Sequence, residues 1–178
     1  MKADKDIREK IIKMINEYLH IMNYTNGNRG LNNNKIVDAN LGIVSLNMVF
    51  IIADIIGSYN RGLEVKTDSK SSIISKGYHF LIFNSKYYNF NIKLSTLEIL
   101  YRNYRSVLVH NSVLPPCFWL HGEYNENPIT VENNMIHIYE PLLIERTNDA
   151  VKMFISDIDK GIIENSQIYK EEAVKKDG

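Results

Sequence analysis

Hydrophobic and polar positions follow a helical period along most of the chain and switch to a period of two in one stretch only. Between residues 6 and 22, Ile7, Ile11, Met14, Ile15, Tyr18, Leu19 and Met22 share one helical stripe, and Asp6 with Glu9 reads as the N-terminal cap. Asn23 to Lys35, with Gly27, Gly30 and three consecutive Asn, reads as a loop. A second helix over about 36–58 is apolar nearly all round, as a central helix must be, and Gly57, Asn60 and Gly62 end it. A third helix is expected over 69–87, interrupted or ended near Gly77.

The fourth helix carries its own start signal. Ser95-Thr96-Leu97-Glu98 reads as a capping box, with Leu94 and Ile99 placed as a hydrophobic staple. Pro115-Pro116 stops it. Cys117 to Tyr124 and Met135 to Tyr139 then alternate like short strands, joined by a polar stretch with Pro128. Pro141 suits the first turn of a last helix, with Ile144, Val151, Phe154, Ile155 and Ile158 facing inward and Gly161 near its end. The expected fold is mainly α: a four- to five-helix bundle with a small β-hairpin inserted before the last helix. One helical domain covers 1–164, and 165–178 reads as a flexible tail.

Composition changes this picture little, and charge changes it more. At 178 residues the chain is long enough to bury one core. Its single Cys117 cannot form an intramolecular disulfide or a thiolate zinc site, so a reducing, cytoplasmic setting is expected. The apolar run Leu41 to Ile56 contains Ser45, Asn47 and Asp54 and is short for a bilayer span, so no membrane is expected as a partner. The formal net charge of zero hides an uneven distribution. Residues 61–110 hold 8 basic and 3 acidic side chains, whereas residues 111–160 hold 3 and 8. The neutral total therefore does not argue against a nucleic-acid partner.

Familiar catalytic signatures are absent: no Gly-rich phosphate loop with its Lys, no Gly-x-Ser-x-Gly elbow, no His-Glu-x-x-His. His121, Glu123 and His137 could meet across the hairpin as ligands, but His on hairpin strands are ordinarily exposed or hydrogen-bonded. No metal and no cofactor are expected. Asp54, inside the apolar helix, must find a partner; a helix end, a Tyr or an Arg would each serve.

The remaining constellation follows the capping box, in Tyr101-Arg102-Asn103-Tyr104-Arg105-Ser106-Val107-Leu108-Val109-His110-Asn111-Ser112. Arg105 is followed by a small polar residue and, after four residues, by His110. This resembles the HEPN superfamily of small helical bundles, whose motif is Arg, four to six residues, then His, often with a polar residue after the Arg. The match rests on Arg105, Ser106 and His110, with the order of helices as support. Positions five apart are about 140° apart around an ideal α-helix. Arg105 and His110 of one copy therefore do not share a face, whereas Ser106 and His110 do.

The resemblance implies a composite site made by two motifs, hence a homodimer through the motif helix. It implies metal-independent RNA cleavage, in which the RNA's own 2′-hydroxyl attacks the adjacent phosphorus. His110 would be the base and Arg105 would fork onto the phosphate oxygens, and these two are the expected catalytic residues. Ser106 would orient the imidazole. Arg102, with Lys86 and Lys93, would contact the RNA backbone, Tyr101 and Tyr104 would offer stacking faces unless one of them packs in the core, and Asn111 adjoins His110. Ser106 is a less usual residue than Asn after the Arg. Ser112 stands where family toxins paired with a nucleotidyltransferase antitoxin often carry a Tyr. The implied function is an endoribonuclease serving as a toxin or in phage defence, with RNA as substrate and an antitoxin or defence-system partner. The alternative is a non-catalytic helical module that binds a protein or nucleic acid, with the hairpin at 117–139 as its specificity element.

Overall fold

The computed structural model describes residues 2–27, 31–32, 35–36, 39–60, 78–103 and 116–163. Helix α1 spans Lys2–Gly27. It starts ahead of the expected cap because Lys2-Ala3-Asp4 contains no breaker, so Asp6 lies inside the helix. It also runs through Asn23, where a loop was expected. Buried Ile11, Ile15, Met22 and Thr25 extend its inner stripe, and the Thr25 hydroxyl donates to the Ile21 carbonyl at 2.8 Å. Strands β1 (Leu31–Asn32) and β2 (Lys35–Ile36) then pair antiparallel.

Helix α2, Ala39–Tyr59, is the hub. Leu46, Val49, Phe50, Ile52, Ala53 and Ile56 are buried, and it packs against α1, the following 3₁₀ segment and the last helix. Its stretch Gly42–Tyr59 is long and apolar enough to cross a membrane by length and composition, and half of it is buried within this fold. Gly57 does not end α2. A Cβ there would stand 2.2 Å from the His79 carbonyl oxygen, so Gly57 is what lets the backbone at His79 approach. Asn60 makes the stop, its side-chain amide donating to the Ile56 carbonyl at 2.7 Å.

Of the expected third helix, Tyr78–Asn84 is 3₁₀ and not α, and 85–87 form a bend and turn; 69–77 lie outside the described residues. Residues three apart eclipse in this geometry, so Phe80 and Phe83 both reach Phe50, with centroids at 5.6 and 6.2 Å. The Asn84 side chain then accepts from the Ile92 N–H at 2.9 Å and donates to its carbonyl at 2.7 Å, closing the loop.

Helix α3, Leu94–Asn103, buries Thr96, Leu97 and Leu100. The Leu97 N–H donates to the Lys93 carbonyl at 3.1 Å, so the helix opens at Lys93 and Ser95 falls inside the first turn. The expected capping box is therefore not used, and Ile99 is exposed instead of stapled to Leu94.

A three-stranded sheet precedes the last helix: β3 (Phe118–His121), β4 (Ile129–Glu132) and β5 (Met135–Tyr139), in the order β3-β5-β4. The expected pairing of β3 with β5 is present but parallel, with Trp119 opposite His137 and His121 opposite Tyr139. The hairpin is formed by β4 and β5 instead, because Asn133 and Asn134 both take positive φ, 49° and 62°, as a tight two-residue turn demands. The inner face contributes Ile129, Ile136 and Ile138 to the core shared with the helices.

Helix α4, Glu140–Asp159, has Pro141 in its first turn, as expected. Ile144, Val151, Phe154 and Ile158 are buried and Ile155 is half-buried. At its end Gly161 takes φ 68°, its N–H donates to Ile158 and that of Ile162 donates to Asp157, a Schellman closure. The bundle with a β insertion is thus the observed fold; the expected tail at 165–178 lies outside the described residues.

Candidate functional site

The motif segment follows α3 directly in the chain. Arg105, Ser106, His110 and Asn111, together with Tyr104, lie outside the described residues. Tyr101, Arg102 and the ground they stand on are described. Leu97 and Leu100 fix α3 to the core, and Tyr101 packs edge-on against Phe80 at 5.2 Å and His79 at 6.4 Å. This ring is half-buried and belongs to the aromatic cluster. Arg102 is exposed and lies 3.2 Å from Glu98 one turn earlier, an i,i+4 surface pair of small energetic weight. Lys93, ahead of the helix, is exposed.

Beneath Tyr101, the Asp54 carboxylate is 2.8 Å from His79 Nδ1, and both side chains are partly buried. One partner of Asp54 is therefore an imidazole on the 3₁₀ segment. His79 escaped sequence reasoning, since the pairing spans 25 residues. The available signal was Gly57, one turn after Asp54, marking where another backbone comes close.

Lys86, expected to contact RNA, is instead paired with buried Asp157 of α4. The Tyr87 hydroxyl donates to the same carboxylate at 2.7 Å. Burial pushes the Asp157 carboxyl up, but the Lys86 and Tyr87 hydrogen bonds and the charges of Lys86 and Lys160 outweigh it. The net position is below the usual carboxylate range. Burial, then the Asp157 hydrogen bond and charge, push the Tyr87 phenol well above its ordinary value, so it acts as a neutral donor. A second buried polar link joins the hub to the last helix, with the Ser45 hydroxyl donating to the Glu140 carboxylate.

The hairpin residues do meet. His121 Nε2 is 2.8 Å from His137 Nδ1, and His121 Nδ1 is 3.2 Å from Glu123 Oε1. His121 is thus hydrogen-bonded to His137 and placed to pair with Glu123 when its ring is protonated. Among the described residues no group of three His, Cys, Asp or Glu is placed to hold a metal ion.

Comparison of the chain with protein-family models, with curated proteins and with solved structures gives no match.

Proposed function

We propose that the chain is a HEPN-like, metal-independent endoribonuclease that works as a cytoplasmic homodimer, in a toxin or phage-defence role. The observation that carries this reading is the placement of the motif. Arg105, Ser106 and His110 follow a bundle helix, α3, that Leu97 and Leu100 lock to the core. Seven of the eight cations of residues 61–110 precede that motif in the sequence, and Arg105 is the eighth.

The chemistry needs little else. His110 takes the proton of the RNA 2′-hydroxyl, the freed oxygen bonds to the adjacent phosphorus, and the 5′-oxygen leaves and receives a proton. Arg105 stabilises the charge that builds on the non-bridging oxygens. His110 of the second copy stands ready as the proton donor, which is why one motif per chain suffices in a dimer. The products are a 2′,3′-cyclic phosphate and a 5′-hydroxyl. Mass spectrometry of a digested oligoribonucleotide reads these ends directly: the cyclic phosphate is expected, and a 5′-phosphate product contradicts the mechanism.

A second reading, a non-catalytic interaction module, is favoured by a different observation. Two side chains expected to contact RNA are engaged within the fold: Lys86 by Asp157, and Tyr101 by Phe80 and His79. Substrate contact then falls to Arg105, His110 and the other cations of the basic stretch.

A further inference from the structure

Alternation along the strands divides the sheet into two faces. Its inner face is core, and its outer face is aromatic and acidic. By register, Trp119 and His121 of β3 stand beside His137 and Tyr139 of β5, with Glu132 at the far edge on β4. The rings lean together in near-parallel order. Trp119 lies on His121 at 6.4 Å and 26°, and His121 lies on Tyr139 at 4.5 Å and 15°. Trp119 stands at the open end of this row and remains 59% exposed, while His121, His137 and Tyr139 are half-buried. Tyr124, in the loop after β3, is 60% exposed.

Charge decides what such a face would take. Residues 116–139 contain Glu123, Glu126 and Glu132 and neither Lys nor Arg, and the whole span 106–145 is free of both. Glu123 is two-thirds exposed beside His121. Phosphates would be repelled here, so stacked nucleobases are a poor fit despite the aromatic row. A guanidinium suits both features: it lies flat on an indole face and forks onto a carboxylate, and it sheds water more readily than an ammonium.

We infer that the outer face of this sheet, around Trp119, Glu123 and Glu132, is a docking surface for an arginine-rich segment of a partner protein. The inference stands independently of the ribonuclease reading, since it uses none of the motif residues.

Trp119 is the sole tryptophan of the chain, so its emission reports this face alone. The experiment titrates the full chain with hexa-arginine, hexalysine, hexaglutamate and a ten-residue oligouridylate, following that emission. Hexa-arginine is expected to change it saturably, more weakly at high salt, and to bind more tightly than hexalysine. Hexaglutamate and oligouridylate are expected to leave it unchanged. The double variant Glu123→Gln/Glu132→Gln keeps the indole and removes two exposed charges, and should weaken hexa-arginine binding about fivefold or more. Calorimetry on Trp119→Ala supplies a second readout, with loss of binding expected and circular dichroism confirming the fold. The inference is overturned by an unchanged emission with hexa-arginine or by equal binding to the Gln variant. A response to oligouridylate, or emission that shifts with protein concentration alone, would also overturn it, by assigning the face to RNA or to a second copy.

Discussion

A Cβ built on Gly57 would stand 2.2 Å from the carbonyl oxygen of His79, closer than any side chain can be accommodated. One turn earlier on the same helix, Asp54 holds the His79 ring at 2.8 Å. The central helix therefore grips the 3₁₀ segment twice, by backbone approach and by hydrogen bond, and the segment in turn supports Tyr101 of α3.

Gly57→Ala tests this grip. Helix propensity alone would reward the change, but the obstructing atoms are backbone and cannot swing away. Net destabilisation of about 2 kcal/mol is expected. Calorimetry should show Tm lower by about 4–8 °C for a chain of this size.

Asp157 ties the loop after the 3₁₀ segment to α4. Because its folded-state carboxyl titrates below the ordinary value, the unfolded chain binds the proton more readily, and stability rises with pH through that window. The contribution is complete above the ordinary carboxylate value near pH 4 and is lost as pH falls through the lower folded value. Asp157→Ala should cost about 2 kcal/mol at pH 7, since it strips Tyr87 and Lys86 of their shared acceptor. Urea unfolding from pH 7 to pH 2 should show the gap between parent and variant closing at the acid end.

The two-residue turn at Asn133 and Asn134 is a third test. Both sit at positive φ, which Asn tolerates and a β-branched residue does not. Asn134→Gly should leave Tm unchanged or raise it slightly. Asn134→Val should destabilise by about 1–2 kcal/mol. Thermal melts of the two variants beside the parent distinguish turn geometry from any general effect of losing the amide.

Features governed by local rules were legible in the sequence. The apolar run of α2 marked the hub, and Pro141 and Gly161 bracketed α4, because helix ends obey short-range sterics. The first and last strands of the β insertion were visible in the alternation, but β4 was read as part of the polar connection and strand direction was not visible. Direction depends on which connection is the tight one, and that was encoded in two asparagines within a chain where asparagine is common. The unused capping box shows the limit of motif reading: burial of Thr96, Leu97 and Leu100 set where α3 begins. For the candidate site, Arg105 and His110 were read from the motif's spacing together with its place after the capping box, and both lie outside the described residues. The pairs Asp54–His79 and Lys86–Asp157 were not, since they join residues 25 and 71 positions apart and exist only once the bundle is packed.

The central claim is that Arg105 and His110 cut RNA without a metal ion. The most direct measurement is digestion of a mixed-sequence oligoribonucleotide in excess EDTA by the parent chain, Arg105→Ala and His110→Ala, each checked for folding by circular dichroism. Cleavage by the parent is expected, with cleavage by either variant slower by about a hundredfold or more, the contribution of a positioned acid–base or charge-stabilising group. A folded parent that leaves the RNA intact, or variants that cut as fast as the parent, would contradict the claim.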